Sequence, residues 1–339
     1  MKSTRRLALV TDAWAPQVNG VVRTLESVAH ELPALGVELE VVHPGQFRTL
    51  PMPGYREIPL SLTSARAVGK VLARLDPDAV HIATEGPLGW AARRACRSSG
   101  RPFTTAYHTK FPEYVKARIG LPLGLGHALL RRFHHSSTRV LVATPTVRAE
   151  LERRRYHNLA HWGRGVDLDL FRPGLRGEVA GLERPIFLSV GRLAIEKNLE
   201  AFLALELPGT KVVVGDGPDR ARLERLARGL AHFPGSLGGE PLARWYASAD
   251  AFVFPSLTDT FGLVLLEALA SGTPVAAFPV AGPLDVIGDA PVGVLGHDLA
   301  AAARRALELD RGACRRFAEG FGWRASAQQL VDAMAWRSG

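Results

Sequence analysis

The sequence predicts an α/β protein built as two successive doubly wound parallel sheets. Short apolar runs alternate with longer amphipathic stretches, the pattern of parallel strands joined by helices. That pattern occurs twice along 339 residues, a length that suits two domains of roughly 100–200 residues each. Between the two halves, Gly163–Pro173 interrupts the periodicity with Gly, Asp and Pro. In the first half, strands are expected at Arg6–Thr11, Glu38–His43, Ala79–Ile82, Phe103–Tyr107 and Val140–Ala143. In the second, they are expected at Ile186–Val190, Lys211–Val214, Ala251–Phe254 and Pro274–Ala277. The expected domains are residues 1–165 and 166–316, followed by a terminal helical segment, 317–339. Open parallel sheets bind ligands beyond the carboxyl ends of their strands, so the site is expected in a central cleft between the domains.

Composition narrows the function classes. With 47% hydrophobic and 22% charged residues, the chain is an ordinary globular protein rather than a disordered one. No apolar run approaches the ~18 residues needed to span a bilayer. Leu7-Ala8-Leu9-Val10, after Lys2, Arg5 and Arg6, is too short for a signal peptide, so a cytoplasmic location is expected. Cys96 and Cys314 stand far apart, without the spacing of a disulfide framework or zinc site, and no metal is expected. Charge is asymmetric. Residues 1–165 carry 24 Lys and Arg against 12 Asp and Glu, net +12, whereas residues 166–339 carry 18 against 21, net −3. Such a first half points to an anionic partner, a membrane surface or nucleic acid; the alternative is a solvated basic face. No recognised RNA- or DNA-binding module is present, and a nucleic-acid partner is not expected.

The chemistry lies at the strand ends. After the first strand, Gln17-Val18-Asn19-Gly20 opens a helical pattern from Val21 to Leu35. Gly20 would let backbone amides approach a diphosphate at a helix N-terminus, although Asn-Gly is also a common turn. A dinucleotide fingerprint is not supported: Gly124-Leu125-Gly126 lacks the third glycine and follows no strand. In the second half, Ser189-Val190-Gly191-Arg192-Leu193 ends a strand and Glu196-Lys197-Asn198 opens the next helix. Arg192 and Lys197 together suit a pyrophosphate leaving group, whose developing charge they would stabilise without metal. Further on, Phe254 leads through Asp259-Thr260-Phe261-Gly262-Leu263 into a short helix containing Glu267 and stopped by Gly272. Asp259 and Glu267 can accept hydrogen bonds from sugar hydroxyls at two points of one extended ligand. An exposed helix carboxylate is the alternative for Glu267, but an acid in so apolar a helix suggests a specific partner.

Gly191-Arg192-Leu193 with Glu196-Lys197-Asn198, the Gly215-Asp216-Gly217-Pro218 turn, and Asp259 to Glu267 resemble the retaining family-4 glycosyltransferases of the GT-B fold. The resemblance covers nearly the whole chain. Asn19-Gly20-Val21 resembles the family's glycine loop, and Gly165-Val166-Asp167 with Phe171-Arg172-Pro173 its interdomain junction. Tyr107-His108-Thr109 and Trp162-Gly163-Arg164-Gly165-Val166-Asp167 resemble the bacterial subgroup of GDP-mannose-dependent α-mannosyltransferases and glycolipid-forming enzymes. One departure is that the first acid of the family's Glu-x7-Glu motif is Asp259 here.

This resemblance implies two Rossmann-like domains facing a central cleft, with a C-terminal helix, Phe317–Trp336, crossing back to the first domain. It places Gly20 beneath the donor diphosphate, with Gly191, Arg192 and Lys197 on its other side. Glu267 would bind the ribose, Ser236 and Leu237 the base, and Asp259 with the amides of Phe261, Gly262 and Leu263 the transferred hexose. His108 would lie over the reacting sugar; a structural histidine is the alternative. The implied reaction is retaining transfer of a hexose from GDP-mannose or a UDP-hexose, forming an α-glycosidic bond without a metal or other cofactor. No enzymic carboxylate nucleophile is evident, which favours same-face attack by the acceptor. A sugar phosphorylase and a catalytically inactive nucleotide-sugar-binding protein are the rival readings.

The acceptor is read from residues 114–135, where apolar residues mix with Lys116, Arg118, Arg131 and Arg132. This composition suits a surface that inserts shallowly among lipids while its cations meet anionic head groups. The expected acceptor is therefore a membrane lipid or glycolipid, with peripheral attachment to the inner face of the cell membrane. The alternatives are a buried helix pair with solvated basic ends and a soluble saccharide acceptor.

Overall fold

A computed structural model describes residues 4–17, 19–52, 55–108, 112, 122–177, 179 and 181–337. The chain forms two compact units, Met1–Arg164 with Trp323–Gly339, and Gly165–Gly322. In the first unit the strands are β1 (Arg5–Val10), β2 (Val37–Val42), β3 (Thr49–Met52), β4 (Tyr55–Ser61), β5 (Ala79–Ile82), β6 (Thr104–Tyr107), β7 (Val140–Val142) and β8 (Leu159–His161). Six of them form one parallel sheet in the order β2-β1-β5-β6-β7-β8, and β3 pairs with β4 as a separate antiparallel ribbon.

Alternation along β1 shows how the sheet makes two cores. Successive strand side chains point to opposite faces. Leu7 and Leu9 pack with Leu25, Val28 and Leu32 of the segment 20–35 and with Ala327 and Leu330 of the terminal helix Trp323–Ala333. Ala8 and Val10 pack instead with Val68 and Leu72 of Ala65–Leu75, Leu88 and Ala92 of Pro87–Ser98, and Phe133. The expected returning segment Phe317–Trp336 is thus divided: Arg311–Ala318 belongs to the second unit and Trp323–Ala333 to the first.

The second unit contains β9 (Ile186–Val190), β10 (Thr210–Val214), β11 (Ala231–Gly235), β12 (Ala251–Phe254), β13 (Val275–Ala277) and β14 (Gly293–Leu295). Its parallel order is β11-β10-β9-β12-β13-β14. Numbered within the unit this is 3-2-1-4-5-6, the dinucleotide-fold order whose direction reverses between strands one and four. Phe187, Val213, Val253 and Ala276 fill one core with Leu199, Phe202, Leu223, Leu299 and Ala303.

All nine expected strands are present, with ends shifted by at most one residue. Five strands were not expected. β8 and β14 have three residues each, β11 contains Pro234 and β3 and β4 contain Pro51 and Pro59. Short length and proline both erase the apolar run by which a strand is read.

Candidate active site

In the second unit the sheet reverses between β9 and β12, and the loops leaving these two strands carry the predicted residues. The 191–193 loop is pressed backbone to backbone against the 215–217 turn. Leu193 N donates to Asp216 O at 2.9 Å, and Asp219 N to Leu193 O at 2.9 Å. A Cβ at Gly215, whose φ is +146°, would lie 1.9 Å from Gly191 O, so no larger residue permits this approach. Arg192 is half-buried on the resulting ledge.

Beyond it, Glu196-Lys197-Asn198 is tied across to the loop after β12. Asn198 Nδ2 donates to Pro255 O at 3.0 Å, and the hydroxyls of Ser256 and Thr258 donate to Glu196 O at 3.5 and 3.4 Å. Lys197 Nζ lies 2.7 Å from Asp259 Oδ1 and 2.9 Å from Oδ2. The structure therefore brings together a cation predicted to meet the diphosphate and a carboxylate predicted to hold the transferred hexose. Phe261, Gly262 and Leu263 follow directly. Gly262 precedes the helix Leu263–Ala270, and no side chain caps that N-terminus among the described residues.

Glu267 is buried in this helix, and Tyr246, from the helix Gly239–Ser248, donates its hydroxyl to Glu267 Oε2 at 2.8 Å. Tyr246 is itself held between Phe171 and Phe252, with ring centroids 5.6 Å away on each side. Sequence reading missed Tyr246. Its neighbours Leu242, Ala243 and Ala247 bury the same helix face, so its spacing matches any core position. Ser236 and Leu237 follow β11 at the sheet edge, where Gly215 N donates to Gly235 O at 2.8 Å; Ser236 is exposed and Leu237 half-buried.

In the first unit the sheet reverses between β1 and β5, and Asp12 joins the two strand ends. Its carboxylate accepts from Thr84 Oγ1 at 2.9 Å and from the amides of Leu88 and Gly89 at 2.9 and 3.1 Å. A Cβ at Gly86 would lie 2.4 Å from the Asp12 carboxyl carbon, which explains the glycine before this helix. Burial raises the Asp12 pKa above the ordinary aspartate value, opposed by these hydrogen bonds. Gly20 begins the helix Gly20–Glu31, and Asn19 Oδ1 accepts from Val21 N and Val22 N at 3.0 Å each. The Asn-Gly pair is therefore a helix cap, and two of the amides expected to face an anion are bound to Asn19.

His108 follows β6. Its Nδ1 lies 3.2 Å from Arg164 Nη2, and its ring meets Trp162 edge-on at 5.5 Å. Burial first, then the Arg164 charge and His81, hold its pKa well below the ordinary histidine value. Arg164 stacks over Trp162 at 4.5 Å, and its Nη1 donates to Trp162 O at 2.7 Å and Gly163 O at 3.0 Å. Burial lowers the guanidinium to about 9, which leaves it charged at neutral pH.

Of the predicted acceptor residues, Lys116 and Arg118 lie outside the described residues, as does Thr109. Arg131 and Arg132 are in the helix Leu123–His134, where Arg131 Nη1 donates back to Arg154 O at 3.0 Å and Arg132 is exposed. Among the described residues no group of three or more His, Cys, Asp or Glu is placed to hold a metal ion.

Residues 18–170 match the model of Glycosyltransferase Family 4, and residues 184–310 that of Glycosyl transferases group 1. A GDP-mannose-dependent alpha-mannosyltransferase of Mycolicibacterium smegmatis is 33% identical over 316 residues, covering 86% of this chain and 84% of its own. This chain belongs to the family-4 glycosyltransferases. An alpha-monoglucosyldiacylglycerol synthase of Streptococcus pneumoniae is 27% identical, covering 89% of this glycosyltransferase and 78% of its own chain. Sucrose-phosphate synthase of Thermosynechococcus elongatus superposes with a TM-score of 0.81 at 21% identity, covering 97% of this chain and 98% of its own. That likeness fixes the fold as GT-B, with two Rossmann-like units. The enzyme is a retaining glycosyltransferase that moves a hexose from a nucleotide sugar.

Proposed function

We propose that this glycosyltransferase takes its hexose from GDP-mannose, with a UDP-hexose as the second candidate donor, and forms an α-linkage to a hydroxyl of a membrane lipid or glycolipid. The observation that carries the reading is the pairing of Lys197 with Asp259 beside the strand reversal, with Glu267 held by Tyr246 eight residues further on. Lys197 and Arg192 neutralise the leaving diphosphate, Asp259 and the amides from Phe261 to Leu263 hold the hexose, and Glu267 binds the ribose. Ser236 and Leu237 border the base, and Gly191 and Gly20 border the diphosphate. His108 contacts the reacting sugar.

Departure of the diphosphate and attack by the acceptor occur on the same face, so the protein acts by positioning and by preorganised charge. The mannosyltransferase and diacylglycerol-glycoside relatives support the donor and acceptor classes. So does the terminal half of the basic stretch. Leu125 and Leu129 of Leu123–His134 are 59% and 51% exposed beside exposed Arg132, while Leu130 and Phe133 are buried. Apolar side chains one turn apart flanked by a cation suit a surface that rests on anionic lipid at the cell membrane.

The test is a panel of GDP- and UDP-sugars against a lipid extract and soluble saccharides, run with and without chelator, with product mass and anomeric configuration determined. An α-mannosylated lipid made at full rate in chelator is expected. Transfer to saccharides alone overturns the lipid reading, and activity lost to chelator and restored by magnesium or manganese overturns the metal-free scheme. Nucleotide-sugar binding without turnover under all conditions contradicts transfer itself.

A further inference from the structure

We propose that Arg164 is a positioning residue for transfer, holding the His108 ring through Nδ1 so that His108 presents its Nε2–H as a hydrogen-bond donor. The proposal rests on the reading that His108 contacts the reacting sugar, and it assigns the group that prepares His108 for that contact.

Arg164 is only 7% exposed, and its fork is divided between two tasks. Nη1 binds the carbonyls of Trp162 and Gly163, which fixes the guanidinium against its own backbone, while Nη2 reaches His108 Nδ1 at 3.2 Å. A guanidinium has donors and no acceptor. Nδ1 must therefore accept, and the neutral imidazole carries its proton on Nε2. The charge of Arg164 also opposes a second proton on the ring. His108 consequently offers a neutral donor rather than an imidazolium, and adds no cation of its own where positive charge develops at the anomeric carbon.

The Arg164 segment is itself held by the terminal helix. Trp162 Nε1 donates to Ser326 O at 3.1 Å, Ser326 Oγ to Gly163 O at 2.9 Å, and Gly163 N to Gln329 Oε1 at 2.7 Å. The residues of Trp162-Gly163-Arg164 thus form one relay from the helix Trp323–Ala333 to the His108 ring. Among the described residues, the other titratable group that acts on His108 is His81, whose ring meets Trp162 edge-on at 5.7 Å and is bound through Nδ1 to Thr104 Oγ1 at 2.8 Å. Burial holds His81 neutral at pH 7, with a pKa of about 3, so of these two neighbours Arg164 is the charged one, and it adds to the burial that keeps the His108 ring neutral.

The experiment compares wild type, Arg164→Ala, Arg164→Lys, His108→Ala and the His108/Arg164 double alanine variant. It measures initial-rate pH profiles and 15N histidine spectra of the folded proteins. In Arg164→Ala, kcat is expected to fall at least tenfold with a smaller change in donor KM. Its acid limb should move to higher pH, and the His108 nitrogens should lose the pure Nε2–H signature. Arg164→Lys keeps the cation and should return the acid limb toward its wild-type position. The double variant should be no slower than His108→Ala, because Arg164 acts through that ring. Losses that add in the double variant, or an unmoved acid limb and unchanged nitrogen signature in Arg164→Ala, overturn the positioning role. A fully active His108→Ala overturns the His108 reading instead, so the two failures are distinct. Should Arg164→Ala not fold, Arg164→Met fills part of the same space with neither donor nor cation and is read in the same way.

Discussion

Lys197 and Asp259 form a two-point ion pair, with Nζ 2.7 and 2.9 Å from the two carboxylate oxygens, and so join the loops that leave β9 and β12. Both side chains are partly shielded, at 26% and 16% exposure, so the pair is neither a solvated surface bridge nor a fully desolvated one. In the proposed site Lys197 serves the diphosphate and Asp259 the hexose, and each fixes the other's rotamer. Lys197→Ala is expected to lower turnover roughly 10- to 150-fold, the equivalent of about 1.5–3 kcal/mol for one charge-assisted hydrogen bond. Asp259→Glu, which restores the family's longer acid, should stay within a few-fold of wild type. Initial rates of nucleotide release check both, and the losses of Lys197→Ala and Asp259→Ala should combine less than additively. Full additivity separates the two residues functionally.

Tyr246 gives Glu267 a fixed orientation through a 2.8 Å hydrogen bond within the buried face of Leu263–Ala270. Removing Glu267 should weaken donor binding severely with less effect on folding, since each charge-assisted ribose bond is worth about 1.5–3 kcal/mol. Tyr246→Phe keeps the packing and removes one donor, so a raised donor KM with nearly unchanged kcat is expected, the mark of lost uniform binding. Calorimetric titration with nucleotide sugar provides the measurement. Unchanged affinity in folded Glu267→Ala removes that residue from the site.

Much of this site is legible in the sequence because its residues follow strands at the sheet reversals, where apolar runs stop and glycines, acids and cations begin. Arg192, Lys197, Asp259 and Glu267 stand out for that reason. Asp12 and Tyr246 do not. Their significance comes from partners 72 and 21 positions away, Thr84 and Glu267, which no local pattern announces. Asn19-Gly20 is visible as a helix start, but that Asn19 occupies the amides of Val21 and Val22 depends on a rotamer. The Trp162-Gly163-Arg164 motif is visible too. Its tie to Ser326 and Gln329 follows only from the terminal helix returning to the first unit, a long-range packing choice made by Ala327 and Leu330 against Leu25 and Val28.

His81 makes the first unit sensitive to acid. Its pKa is about 3 in the fold because burial excludes the charged form, against about 6.5 in an unfolded chain. Above pH ~6.5 both states are neutral and the residue adds no pH dependence. As pH falls from about 6.5 toward about 3, the unfolded chain takes up a proton that the folded chain refuses, and stability declines by up to about 1.4 kcal/mol per pH unit. His108, also shifted down, acts in the same direction. Urea unfolding between pH 7.5 and 5 should show this decline, and His81→Gln should flatten it. An identical slope in the variant excludes His81 as a source.

The helix Leu123–His134 divides its residues by face in a way that allows the lipid reading to be tested without disturbing the core. His127, Leu130 and Phe133 are buried, whereas Leu125, Leu129 and Arg132 lie on the exposed side. Arg131 is a poorer probe, because its bond to Arg154 O ties the helix to the segment after Pro145–Arg153. Leu125→Ser with Leu129→Ser removes the apolar contact, and Arg132→Glu reverses one charge. Cosedimentation with anionic vesicles should be strong for wild type at low salt, weaker on neutral vesicles and reduced at high salt, where screening shortens the Debye length to a few ångströms. Both changes should lower vesicle binding and lipid-acceptor turnover while donor affinity is preserved. Loss of the salt effect in Arg132→Glu alone assigns the attraction to this helix. Equal, negligible binding of wild type to every vesicle removes the membrane surface and directs the acceptor search to soluble saccharides.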